Sequence, residues 1–438
     1  MIFSFPRFWR FAAPAAVLFC FPLRGYAQQV ISPSSPAAST PAQPPRRPSS
    51  RPNNVPASAA RANSAPTVPA QAPASGRRGR RRRGSPKPVV EFVPGGTVSS
   101  APAFGANGLV YLASWNSRVY ALDSVTGALQ WKFAAPKMFN ASPVVGADGT
   151  VYAGAYDGKV YALDGATGAK KWEFATRALV NEAPAVSASG DTVYVGGYDR
   201  SVYALAAKDG AVKWRTPVGA AASSPAVGQD GSVYVGADKI YALKPADGTL
   251  QWQFLTGYDA ASPVAAGANG ALYAQAHDDR GRSQICALDT RTGRQTWAFP
   301  LSEPPAYPPL VSADRVYVGA DQVYVLRQSS GHLVWRYGQT GVRWSTPTVN
   351  NNIVCAGNSS GALVALDGMT GNALWTFATH DPLLSFPRFG PRGLVYVACE
   401  GDRKVYALDG RTGKTLWQFT QEPVPTTAIP PPPKKGTP

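Results

Sequence analysis

Eight tryptophans recur at a near-constant interval along this chain of 438 residues, and each has a glycine four positions before it. The pairs are Gly127 and Trp131, Gly168 and Trp172, Gly210 and Trp214, Gly248 and Trp252, Gly293 and Trp297, Gly331 and Trp335, Gly371 and Trp375, and Gly413 and Trp417. Seven intervals separate Trp131 from Trp417, about 41 residues each. That period matches a four-stranded propeller blade, a unit that buries its apolar faces only by stacking on neighbours.

The stretch from 160 to 174 shows the unit in full. Val160-Tyr161-Ala162-Leu163 is rich in β-formers and predicts a strand. Asp164 stands at the strand end, where a carboxylate accepts backbone N–H groups and sets a turn. Gly168 supplies a positive φ without a Cβ clash. A second strand carries Trp172 and Phe174 on one face. Two further strand-like runs complete each repeat. One follows a recurring proline (Pro102, Pro143, Pro184, Pro225, Pro263, Pro309, Pro347, Pro387), and the other is of the type Val151-Tyr-Ala-Gly154. Eight sets of four predict an all-β fold over 90–420, an eight-bladed β-propeller of four-stranded antiparallel blades. Val90-Glu91-Phe92 is a ninth fourth-strand-like piece that would add to the last blade and help close the ring, although Trp417 already supplies a fourth strand there.

The repeat resembles the PQQ-type repeat of eight-bladed quinoprotein propellers, whose tryptophan-docking motif reads Ala-x-Asp-x-x-Thr-Gly-x-x-x-Trp. Asp123, Asp164, Asp289, Asp367 and Asp409, each with Thr and Gly following, fit it closely. Ala206, Lys244 and Arg327 stand at the Asp position of blades three, four and six. The resemblance implies a structural role for Trp131, Trp172, Trp214, Trp252, Trp297, Trp335, Trp375 and Trp417, each packed between adjacent blades.

The ends of the chain differ in kind from its middle. Residues 1–27 read as a secretory signal. Arg7 and Arg10 precede an apolar run too short to span a bilayer, and Gly25-Tyr26-Ala27 is a small-x-small cleavage site. A lipid-modified Cys20 is disfavoured by Phe19 before it, so the expected product is secreted or periplasmic and without a lipid anchor. Residues 28–89 form a basic linker of Pro, Ala, Ser and Arg that lacks the apolar side chains to offset ordering. Residues 421–438 are a Pro/Lys tail of the same kind.

The formal net charge is +17, of which the signal holds +3 and residues 28–90 hold +11, leaving +3 for the rest. A nearly neutral propeller argues against a basic nucleic-acid-binding face. The run Arg77, Arg78, Arg80, Arg81, Arg82 and Arg83 has two readings, a tether to an anionic cell-wall or membrane surface and a solubilising tail.

Two branches of the resembled family bear on function. Quinoprotein dehydrogenases hold PQQ and a divalent ion, have long insertions and often carry a vicinal cysteine pair. This chain lacks the insertions and has no Cys-Cys. Cys286, Cys355 and Cys399 read as buried apolar thiols. The compact, BamB-like branch is non-catalytic and acts as a scaffold for protein partners, and the size of this chain matches it. His277, His332 and His380 fall in different blades with no metal-ligand spacing. His277-Asp278-Asp279 is the one dense polar spot, read as a loop tip or, less simply, a metal site. The expectation is a monomeric envelope scaffold that is not an enzyme and has no cofactor. A glycan- or small-ligand-binding propeller and a PQQ-dependent dehydrogenase with calcium are the alternatives.

Alternating strand direction places the loops between second and third strands, and those between blades, at one end of the propeller. That end departs most from the repeat. Trp115, Tyr156 and Tyr198 occupy matching loop positions in blades one to three. Met138, Phe139, Tyr258, Tyr307, Arg343, Trp344, Leu383 and Leu384 lie in the inter-blade loops. Aromatics and arginine on a variable loop face suit partner recognition. The competing reading is that they pack on each other or fill the central funnel.

Overall fold

The computed structural model describes residues 100–257, 264–305, 307–339, 341–379, 385–399 and 404–420. They form eight four-stranded antiparallel sheets arranged as an eight-bladed β-propeller. In the first blade the strands are Ala103–Phe104, Leu109–Ser114, Arg118–Asp123 and Leu129–Ala134, paired in sequence order. Every first strand begins directly after its recurring proline, from Ala103–Phe104 to Arg388–Phe389. The ring N–H that proline lacks is tolerated there, at the start of a short strand. First strands of most adjacent blades touch one another, as from blade one through blade six, so they lie toward the central axis.

The second and third strands are almost wholly buried, as Val151, Tyr152, Ala153 and Val160 to Leu163 show. Apolar side chains on both faces of these strands fill the spaces between blades. The Tyr152, Val160, Ala162 and Trp172 side chains of blade two pack with Val193, Val195, Tyr203 and Leu205 of blade three. Fourth strands alternate instead, with the tryptophan inward and its neighbours exposed. That alternation marks the outer edge of each sheet.

The hairpin between third and fourth strands is built as its residues suggest. Asp164 Oδ1 accepts from the amides of Ala166 at 3.1 Å and Thr167 at 2.9 Å and from the Thr167 hydroxyl at 2.9 Å. Gly168 turns at φ +74° and donates to the Asp164 carbonyl at 2.8 Å. A Cβ there would stand 2.6 Å from the Trp131 ring of the preceding blade. The glycine is therefore required twice, for its φ and for the approach of an indole. Where Asp is replaced, the backbone bond persists: Gly210, Gly248 and Gly331 donate to the carbonyls of Ala206, Lys244 and Arg327 at 2.8, 2.9 and 2.9 Å. A bulge follows in every blade, pairing Ala162 with Trp172 but Leu163 with Lys170.

Seven tryptophans dock across blades in one way. The Nε1–H of Trp131, Trp172, Trp214, Trp252, Trp297, Trp335 and Trp375 donates to a carbonyl of the next blade's hairpin at 2.8–3.1 Å. Trp417 differs: its Nε1 is buried with no hydrogen-bond partner. The carbonyl it would reach, that of Ser124, accepts Tyr396 Oη at 2.6 Å. Phe419 takes the place of an indole against Gly127, where a Cβ would meet its ring at 2.4 Å. Blade eight draws all four strands from residues 388–420. The expected ninth fourth-strand piece at 90–92, the expected signal at 1–27, the expected linker at 28–89 and residues 421–438 lie outside the described residues.

Candidate functional site

The end that breaks the repeat carries a hydrogen-bonded rim across blades one to four. Three loops between second and third strands present Trp115, Tyr156 and Tyr198. Each is fastened to the inter-blade loop beside it. Phe139 N donates to Ser114 O at 3.2 Å, Tyr156 N to Met138 O at 2.9 Å, and Tyr198 N to Leu179 O at 3.2 Å. The inter-blade loops are then joined by side chains. Trp115 Nε1 donates to Asn140 Oδ1 at 2.6 Å, Asn140 Nδ2 to Asn181 Oδ1 at 2.9 Å, and Asn181 Nδ2 to Tyr198 Oη at 3.1 Å. Glu182 Oε2 accepts from Ser224 at both its backbone N, 3.2 Å, and its hydroxyl, 2.9 Å. Four blades are thus linked through one polar chain, and fully connected polar chains hold side chains in place.

Burial raises the Glu182 carboxyl above the usual carboxylate range, and the Ser224 and Asn181 hydrogen bonds only partly oppose it. The same desolvation raises the phenols of Tyr156 and Tyr198, with Glu182 adding to both. Glu182 stands two residues before its proline, a place held by Ser100, Ser223, Ser345 and Ser385 in other blades. Those serines hydrogen-bond into their own second strand. A carboxylate reaching to the next blade is a departure peculiar to blade three.

The expected face divides. Trp115 and Tyr198 remain 43% and 42% exposed, so their ring faces are free for contact. Tyr156, Met138 and Tyr307 are half-buried, the last edge-on to Phe386 with centroids 5.1 Å apart. Arg343 is exposed, with Glu303 at 3.8 Å and the Pro304 carbonyl at 3.3 Å. Two expected surface residues are interior. Phe139 is fully buried against Tyr161 and the core shared by blades one and two. Trp344 is 6% exposed and lies edge-on to Tyr337 at 5.6 Å. Both follow the competing reading, packing rather than display, because an inter-blade loop must cover the open end of the core beneath it. Tyr258, Leu383 and Leu384 lie outside the described residues.

Asn140, Asn181 and Glu182 were not singled out by sequence reasoning. The signal was present: aligned on the recurring proline, Asn140 and Asn181 share one position, and Glu182 replaces serine at the next. The polar spot at 277–279 resolves as a loop turn, with Asp278 accepting from Arg282 Nε at 2.7 Å and from the Arg280 and Arg282 amides at 2.9 Å. Among the described residues, no three His, Cys, Asp or Glu side chains converge as metal ligands. Cys286, Cys355 and Cys399 are buried.

Comparison with known proteins adds the family. A curated relative, outer membrane protein assembly factor BamB of Yersinia pestis, is 31% identical over 114 residues, which is 23% of this chain and 29% of the relative. The similarity therefore spans less than a third of that protein's length. The crystal structure of BamB from Moraxella catarrhalis superposes with a TM-score of 0.56 at 19% identity, covering 72% of this chain and 94% of that one. The computationally designed Ika8 protein superposes at 0.60 and 17% identity, covering 75% and 99%. Both structural likenesses concern the fold. The profile of one family matches residues 65–239, 236–376 and 320–434, together spanning the whole propeller, and the chain belongs to that family, described as outer membrane protein assembly factor BamB.

Proposed function

We propose that this protein is a non-catalytic scaffold of the cell envelope that holds a protein partner on the rim of blades one to four. In this reading it acts in outer-membrane protein assembly and works without a bound cofactor. Family membership carries the proposal. The rim supports the location. Exposed Trp115 and Tyr198 offer large rigid contact faces at low entropic cost, and Asn140 and Asn181 between them offer adaptable hydrogen bonding, the side-chain mixture of protein-binding loops. Their mutual hydrogen bonds remove part of the ordering cost of association. Export by residues 1–27 and a tether through Arg77 to Arg83 complete the reading.

The test is site-specific photo-crosslinking in intact cells. A photoreactive residue at position 115 should give a discrete adduct with an envelope protein. One at Met369, 62% exposed at the opposite end, should not. Trp115→Ala with Tyr198→Ala should weaken co-purification of that partner at least tenfold, on the order of two hot-spot contacts, with the melting temperature unchanged. An adduct from position 369 alone, or an undiminished partner in the double variant, overturns the proposal.

A further inference from the structure

At the end opposite the rim, a cavity of about 270 Å³ opens between blades seven and eight. Half-buried Ile353 and Phe389 form its apolar side. Asn350 and Asn351 come from the turn between the first two strands of blade seven. Arg392 comes from the same turn of blade eight, and Asp409 and Arg411 from the following hairpin.

The polar side chains of these turns are used differently elsewhere. In blade one, Asn107 accepts from the Leu109 amide at 3.2 Å and bonds the Tyr111 hydroxyl at 3.0 Å. In blades two and four, Asp148 and Asp230 accept from the amide and hydroxyl of Thr150 and Ser232. In blade five, Asn269 accepts from the Ala271 amide and bonds Tyr273. Each caps its own turn. Blades seven and eight instead turn through left-handed Asn351, Asn352 and Arg392, at φ 46°, 64° and 60°. Asn350, Asn351, Arg392 and Arg411 then make no side-chain hydrogen bond or ion pair among the described residues.

Charge follows the same division. Asp409 is the acid in the lining; its Oδ1 is already taken by the Arg411 amide at 3.0 Å and by the amide and hydroxyl of Thr412 at 2.9 Å each, and it feels the Arg411 charge without a side-chain ion pair. Asp123, across the joint with blade one, feels Arg392 electrostatically, but no ion pair forms between them. Two guanidinium groups and two amides thus face one cavity with their donors uncommitted. Guanidinium forks match the oxygens of phosphate in geometry and charge, and a phosphate monoester carries roughly −1.5 to −2 near neutral pH.

We propose that this cavity binds a phosphate monoester. Arg392 and Arg411 take the phosphoryl oxygens, the Asn350 and Asn351 amides add hydrogen bonds, and Phe389 flanks the group that bears the phosphate. The site is separate from the rim, so partner docking and phosphate binding can fail independently.

The test uses the full chain. Calorimetric titration with a hexose 6-phosphate, and with inorganic phosphate, should give saturable one-to-one binding that weakens as salt is raised. Arg392→Asn with Arg411→Gln should weaken it at least about tenfold, the loss expected for charge-assisted bonds, while asparagine tolerates the left-handed turn. A second arm uses phosphatidic acid vesicles. The arginine run at 77–83 is common to wild type and variant, so their difference reports on the cavity. Variant-sensitive binding to vesicles alone assigns the phosphate to a lipid headgroup and still supports the site. No saturable binding in either arm, or binding that the variant retains, overturns it. If the double variant melts early, Arg411→Gln alone carries the same comparison. Trp115→Ala with Tyr198→Ala should leave phosphate binding intact.

Discussion

Seven blade-to-blade joints and the joint that closes the ring use the same residue types in two arrangements. At the joint of blades one and two, the Gly165 carbonyl accepts both Trp131 Nε1 and Tyr111 Oη at 2.9 Å. At the closing joint, Tyr396 alone reaches the corresponding carbonyl, that of Ser124, and the Trp417 N–H is left without a partner. The residue two beyond the tryptophan changes role as well. Phe133, Phe174, Phe254, Phe299 and Phe377 are half-buried, whereas Phe419 is fully buried, 4.2 Å from the Trp417 ring and seated against Gly127. Identical local sequence therefore does not ensure identical docking. A joint between the first and last blades, whose partners stand some 270 residues apart, is free to settle differently from joints between consecutive blades.

That difference is open to direct attack. The largest effects should come from truncation. Trp172→Ala should lose roughly 3–5 kcal/mol of stability at a regular joint, read from chemical denaturation. An unchanged midpoint would remove the docking role. Phe419→Ala should cost about as much, and distinctly more than Phe174→Ala, since only Phe419 fills the glycine cradle. Equal losses would show that the closing joint is ordinary.

Exchanging indole for phenyl separates the joints more finely, because both changes lose similar ring volume but only one loses a hydrogen bond. Trp172→Phe leaves the Ala207 carbonyl unpaired and should cost about 1–3 kcal/mol. Trp417→Phe loses the same ring volume but also an unsatisfied donor, and should cost distinctly less than Trp172→Phe. Tyr396→Phe should cost about 0.5–1.5 kcal/mol, the net worth of one hydrogen bond. Combined with Trp417→Phe, it should cost more than the sum if the indole takes over the freed carbonyl.

The subtlest test concerns the joint of blades three and four, which bears Glu182. Burial raises its folded carboxyl, so over the window above the ordinary carboxylate value the native state keeps a proton that the unfolded chain has released. Stability should fall as pH rises through that window. Glu182→Gln should flatten the slope and leave the variant the more stable at neutral pH. A parallel pair of profiles would show that the carboxyl titrates normally.

The eight-blade count, the strand order and the glycine-tryptophan spacing were legible from the sequence. They arise from contacts within one repeat or between consecutive ones, and recurrence every 41 residues or so makes such contacts visible. The hairpins of blades three, four and six show the limit of motif reading. Ala206, Lys244 and Arg327 break the aspartate pattern, yet the turn survives because its glycine and backbone hydrogen bond carry it.

The site was legible only in part. Trp115 and Tyr198 stand in loop positions that break the repeat, which sequence shows, and they are exposed, which only the structure shows. Phe139 and Trp344 look the same in sequence but are interior, because whether a loop aromatic covers the core or faces solvent depends on the neighbouring blade. Asn140 and Asn181 meet only because adjacent blades bring loops 41 residues apart within 2.9 Å. The cavity at Arg392 and Arg411 likewise needs two blades set side by side. Sequence by itself determined the blade and its repetition, since strand alternation, turn chemistry and tryptophan spacing are local and periodic. Tertiary structure alone decided how the ring closes and which irregular residues face solvent, since both depend on how one blade meets the next.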